Sequence, residues 1–185
     1  MENPVDNCLT RARAGRRCWA ALLLVFLTTS MAMAQAAPSS PTRAYALRLR
    51  PGDDLRQALL AFVAAQRLEA GAVLTCVGSL TDVSLRLANQ EGATRYQGHF
   101  EIVSLVGTLA ATGGSHLHLS VSDSTGRTLG GHLLDGCRVY TTAEIVLAVL
   151  PELQFTRETD STFGYKELVV KPAPAAPAPK RKPRL

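Results

Sequence analysis

Four histidines occur in this chain of 185 residues, all of them between positions 99 and 132. Three have the spacing of metal ligands. His116 and His118 stand two residues apart, so on a strand both point to the same face. Downstream, Asp123-Ser124-Thr125-Gly126-Arg127 has the composition of a tight turn. A three-residue loop at 124–126, with Gly126 at positive φ, sets His132 opposite His118 on that face. Cross-strand Cβ atoms lie about 5 Å apart there, close enough for three imidazoles to share an ion. Neutral imidazoles suit zinc above other metals, with a fourth position left for water, a carboxylate or a ligand. Such an open site polarises a carbonyl or lowers the pKa of bound water, so hydrolysis or hydration is conceivable. The alternative is a hydrogen-bonded polar cluster at a subunit interface, and a one-residue slip in register would turn His132 away.

Other chemistry-bearing residues are more isolated. Glu144, in Thr141-Thr142-Ala143-Glu144, is a candidate fourth ligand or general base, or else a buried carboxylate satisfied by neighbouring hydroxyls. His99 and Glu101 flank Phe100 and fit the polar face of a strand. Gly113-Gly114-Ser115 lacks the Lys-Ser/Thr ending of a phosphate loop, and the chain contains no G-x-S-x-G elbow. Its four cysteines make no C-x-x-C pair. Cys76 and Cys137 lie in apolar, strand-like stretches and are expected as buried thiols, with one disulfide the alternative in an oxidising compartment.

The elements that must position these groups follow from periodicity. Tyr45, Leu47 and Leu49 alternate with Ala46, Arg48 and Arg50, a half-buried strand. After Pro51-Gly52, Asp53 or Asp54 can cap a helix carrying Leu55, Ala58, Leu59, Phe62 and Val63 at helical spacing, with Gly71 beyond its end. The apolar run 72–79 predicts a buried strand, and Val83, Leu85 and Leu87 alternate again. Strands are expected at 99–110, 116–122 and 128–134, with late strand material at Phe155-Thr156 and Tyr165–Val170. The apolar segment from Thr141 to Leu150 suits strand or helix and stops at Pro151. The sum is one α+β domain over residues 43–170, mostly antiparallel sheet with one main helix.

The ends of the chain differ from this segment. Arg11, Arg13, Arg16 and Arg17 precede an apolar core at 18–27 and the small-residue signature Ala32-Met33-Ala34. That is the pattern of a secretory signal peptide over residues 1–34, with cleavage after Ala34 and a short linker at 35–42. The protein is therefore expected to be periplasmic or secreted, or membrane-anchored if the signal is not cleaved. Residues 171–185 alternate Pro and Ala before Lys180-Arg181-Lys182-Pro183-Arg184, an extended basic tail able to contact an anionic surface. The formal charge of +5 belongs to these ends. Residues 35–170 hold eleven basic against thirteen acidic side chains, which disfavours a basic DNA-gripping domain.

Phe100-Glu101-Ile102-Val103-Ser104-Leu105-Val106-Gly107, Ser115-His116-Leu117-His118-Leu119 and Gly130-Gly131-His132 together resemble the plants-and-prokaryotes-conserved (PPC) domain family. The resemblance covers most of 43–170 and implies a sandwich-like domain on an antiparallel sheet, assembling as a homotrimer. It also implies a metal site at His116, His118 and His132, as in some bacterial members. Plant members carry A·T hooks and bind DNA. This chain has no such hook and has an export signal, which argues against a nuclear role. The sequence thus favours a non-catalytic, exported homotrimer holding a metal or small ligand. DNA binding and a zinc-dependent hydrolase or lyase with Glu144 as base are the alternatives.

Overall fold

The computed structural model describes residues 37–174. The segment read as an export signal, the first two residues of the expected linker and all but the first four residues of the basic tail lie outside that range. Among the described residues there are eight strands and one helix: β1 (Arg43–Leu49), α1 (Leu55–Ala65), β2 (Gly71–Arg86), β3 (Thr94–Ala110), β4 (Gly114–Ser122), β5 (Thr128–Leu133), β6 (Arg138–Val149), β7 (Leu153–Thr159) and β8 (Lys166–Pro172). All strand pairings are antiparallel.

Helix α1 begins after Asp54, whose buried carboxylate accepts hydrogen bonds from the Gln57 N–H at 3.1 Å and the Gly136 N–H at 2.6 Å. One aspartate therefore caps the helix and ties it to the turn before β6. Leu55, Leu59 and Val63 form its buried stripe, and Phe62 meets Tyr45 of β1 edge to face.

The main sheet has the order β1-β6-β2-β3-β4-β5, and β5 pairs back onto β2. One edge of β2 runs along β3; the other is shared by β6, as far as Asp82, and β5, through Leu85↔Leu133 and Arg86↔His132. Strands β2 to β5 thus close on themselves around Leu80, Val83, Leu85, Leu105, Leu119 and Val121, all buried. Hairpin β7–β8 forms a second, two-stranded sheet. Its base packs Leu153 and Phe155 on Ala70 and Ala110, a small apolar cluster separate from the main core.

Several expectations are corrected here. The segments 72–79 and 83–87 are one sixteen-residue strand, continued through an irregularity between Leu80 and Asp82. The run 72–79 is not buried throughout: Leu74 and Val77 are 59% and 55% exposed, because no layer among the described residues covers them. Strand β3 starts at Thr94, earlier than its apolar stretch suggests. Thr141 to Val149 is strand, paired on both edges with β1 and β2, a setting that suits its β-branched residues. Strand β8 continues to Pro172, two residues into the Pro/Ala segment. Cys76 and Cys137 are buried free thiols. Burial pushes them up to about 12 and about 11, and the Cys137 sulfur takes a hydrogen bond from the Ser84 N–H at 3.2 Å.

Candidate metal centre

Strand alternation sets the site. On β4, Leu117 and Leu119 turn inward and are buried, so His116 and His118 turn outward; on β5, Leu133 turns inward and His132 outward. The turn between them has the expected form, with the Gly126 N–H donating to the Asp123 carbonyl at 2.9 Å and Gly126 at φ 79. It produces the register His118↔His132, the pairing the loop length predicts. Close approach depends on Gly131, where an added Cβ would lie 2.7 Å from the Arg86 carbonyl oxygen. A side chain there would hold β5 away from β2.

The three imidazoles converge. Ring centroids are 4.9 Å apart for His116–His118, 5.0 Å for His116–His132 and 4.5 Å for His118–His132. The Nε2 atoms of His116 and His118 are 3.1 Å apart, and one ligating nitrogen from each ring lies within 4.8 Å of the others. Tetrahedral ligands on zinc stand about 3.3 Å apart for bonds near 2.0–2.1 Å. The His116–His118 pair already stands near that spacing, and three neutral imidazoles within 4.8 Å are a donor set that suits an ion. His116 and His132 are held below the ordinary imidazole pKa, chiefly by loss of solvent, then by neighbouring positive charge from the other histidines, Arg86 and, for His116, Arg157. The neutral form, which binds metal, is favoured.

Around His116 and His132 opens a cleft of about 840 Å³. Arg56, Arg86, Arg157, Tyr165, Lys166 and Glu167 are among its lining residues. Arg86 is the cross-strand partner of His132. Arg157, on β7, donates to the Thr108 hydroxyl at 3.0 Å, and Thr108 is the cross-strand partner of His116. Sequence reasoning missed both arginines. Only the pairing of β5 with the end of β2, and the packing of hairpin β7–β8 on the sheet, bring them to the histidines, and neither has a local signal.

Glu144 does not join the cluster. It is exposed on β6 opposite Arg48 and Val77, and lines a separate depression with Ala46 and Thr75. The nearby hydroxyls of Ser79 and Thr141 bond each other at 2.8 Å. His99 is exposed and stacks on Tyr140, and Glu101 lies on the polar face of β3.

Fold and cluster define a class: a small antiparallel domain, closed on itself, with three histidines on its outer face. The family model described as the Plants and Prokaryotes Conserved (PCC) domain matches residues 36–151, and the chain belongs to that family. A bifunctional protein GlmU from a Synechococcus strain is 42% identical over 182 residues, 97% of this chain and 29% of that protein. The chain therefore spans less than a third of that relative. An AT-hook motif nuclear-localized protein of Arabidopsis thaliana is 34% identical over 107 residues, covering 51% of this chain and 24% of the relative. Among solved structures, a hypothetical protein from Salmonella enterica superposes with a TM-score of 0.71 at 49% identity, over 73% of this chain and 97% of its own. A metal-containing protein from Archaeoglobus fulgidus shares the fold, with a TM-score of 0.59 at 22% identity over 69% of this chain and 93% of its own.

Proposed function

We propose that this chain is an exported, non-catalytic binding module that works as a homotrimer and holds a metal ion, zinc by its donor chemistry, at His116, His118 and His132. The observation that carries the reading is the convergence of three outward imidazoles at the mouth of an open cleft. When bound, the ion would supply a Lewis-acidic position for a small ligand. The chain's own groups orient that ligand and keep the imidazoles neutral. A metal-containing structural relative agrees with this reading.

Self-association has its own support. The register pairing Ala72 with Thr108 and Ser79 with Glu101 sets Leu74 opposite Val106 and Val77 opposite Val103. All four are more than half exposed. Two apolar cross-strand pairs left in water are the mark of an interface. Export rests on the N-terminal pattern, and a cleaved chain beginning after Ala34 in the periplasmic fraction is its test. Full-length protein in the cytosol overturns it.

The deciding experiment is elemental analysis of the purified protein together with its mass in solution. One zinc per chain in a trimer, with the zinc lost in His118→Ala, is expected. A metal-free monomer contradicts both halves. DNA binding, suggested by the AT-hook relative, is separated by salt-dependent binding assays. Affinity that disappears on deleting 175–185 belongs to the basic tail, whereas affinity kept by the remaining domain would favour the DNA reading. A zinc hydrolase would have to find a base other than Glu144.

A further inference from the structure

Among the described residues only two ion pairs form, Arg56–Asp135 and Lys171–Glu158. Arg86 and Arg157 therefore have no carboxylate within ion-pair distance, although both are half-buried. Half-burial without a counter-charge is costly to a guanidinium, and a cleft that keeps two such groups is prepared for an anion. Their placement adds direction. Arg86 stands across from His132; Arg157 is held by Thr108, which stands across from His116. The arginines thus flank both ends of the histidine cluster. Arg56 is engaged by Asp135, so the cleft sets Arg86, Arg157 and Lys166 against the carboxylates of Glu91 and Glu167, a surplus of one positive charge before any metal is counted.

From this arrangement we infer that the ligand is a small anionic oxyacid, a carboxylate or a phosphate, seated at the three-histidine centre with Arg86 on one side of it and Arg157 on the other. The inference rests on the metal-site reading and names the ligand class for it. Carboxylate and phosphate share the needed chemistry: both take bidentate hydrogen bonds from guanidinium, and both offer oxygen to a metal with an open position. A cleft of about 840 Å³ admits a metabolite-sized molecule. Arg157, Tyr165, Lys166 and Glu167 come from hairpin β7–β8, beyond the residues the family model matches.

The test loads the full chain with cobalt(II) and titrates succinate, inorganic phosphate and, as an uncharged control, 1,4-butanediol, read by calorimetry and by the visible spectrum of the cobalt. Saturable binding of either anion with a spectral change, and none with the diol, is expected; the tighter anion identifies the source. Arg86→Gln and Arg157→Gln should each weaken that binding about tenfold while keeping cobalt. If Arg157→Gln fails to fold for want of its bond to Thr108, Arg86→Gln carries the test alone. Cobalt-loaded protein that binds neither anion, or variants that bind as tightly as the parent, overturn this inference and leave the metal site standing. A chain that takes up no cobalt or zinc removes the metal-site reading, and this one with it.

Discussion

Replacing Gly131 by alanine tests whether the β2–β5 junction builds the proposed metal centre. The new Cβ would lie 2.7 Å from the Arg86 carbonyl oxygen and 3.3 Å from its carbon. Ordinary contact begins near 3.4 Å. The obstacle is backbone, so β5 and β2 must separate by roughly half an ångström or more, a clash of the overpacking kind that costs about 1–3 kcal/mol. For a domain of this size that lowers Tm by roughly 3–12 °C. The junction consists of only two residue pairs, Leu85↔Leu133 and Arg86↔His132. Opening it therefore displaces one ligand and one flanking arginine together. Zinc affinity, measured by competition with a chromophoric chelator, should fall by at least tenfold. Leu59→Ala, in the helix stripe away from the histidines, is the matched control: it costs about 2–5 kcal/mol and should leave zinc affinity unchanged. Gly131→Ala protein that keeps both its Tm and its zinc affinity would refute the idea that this close approach seats His132.

Asp54→Ala removes two hydrogen bonds from a buried carboxylate and should destabilise the fold by about 2–4 kcal/mol in urea denaturation. In metal-free protein, His116 and His132 have depressed pKa values, so the unfolded chain binds more protons below the ordinary imidazole pKa. Stability should therefore be fully present above about pH 6.5 and decline as pH falls through that value. Thermal melts in chelator across that range should show a slope that shrinks in a His116→Asn, His132→Asn double variant. With thiols pushed up to about 12 and about 11, Cys76 and Cys137 should resist a disulfide reagent at pH 8 in the folded state and react on unfolding. Mass spectrometry of the labelled peptides reads this site by site.

The histidine pairing was legible because a tight turn converts sequence distance directly into register. Gly126 and the length of its loop leave one arrangement of His118 and His132. The helix was equally local at its start, a capping aspartate followed by a 3.6-residue stripe, but it ends at Ala65 through Gln66 and a left-handed Arg67, while Gly71 opens β2. What escaped depends on partners far along the chain. Leu74 and Val77 have the composition of buried residues, yet burial needs a covering layer that the described residues do not supply. Thr141–Val149 is a strand because β1 and β2 flank it, a fact absent from its own residues. Arg86 reaches His132 only once four strands have closed into a ring. Glu144 drew notice as a carboxylate among apolar neighbours, but period two simply turns it to water.

Hairpin β7–β8 rests on a four-residue apolar cluster of its own, apart from the core that holds the ring together. It is tied to the ring all the same, through the Arg157–Thr108 hydrogen bond and the Phe155 N–H donated to the Glu69 carbonyl. The three histidines and Arg86 sit on the ring; Arg157, Tyr165 and Lys166 sit on the hairpin. The cleft wall is thereby divided between two stretches of chain. A substitution on the hairpin therefore alters the cleft without touching a histidine.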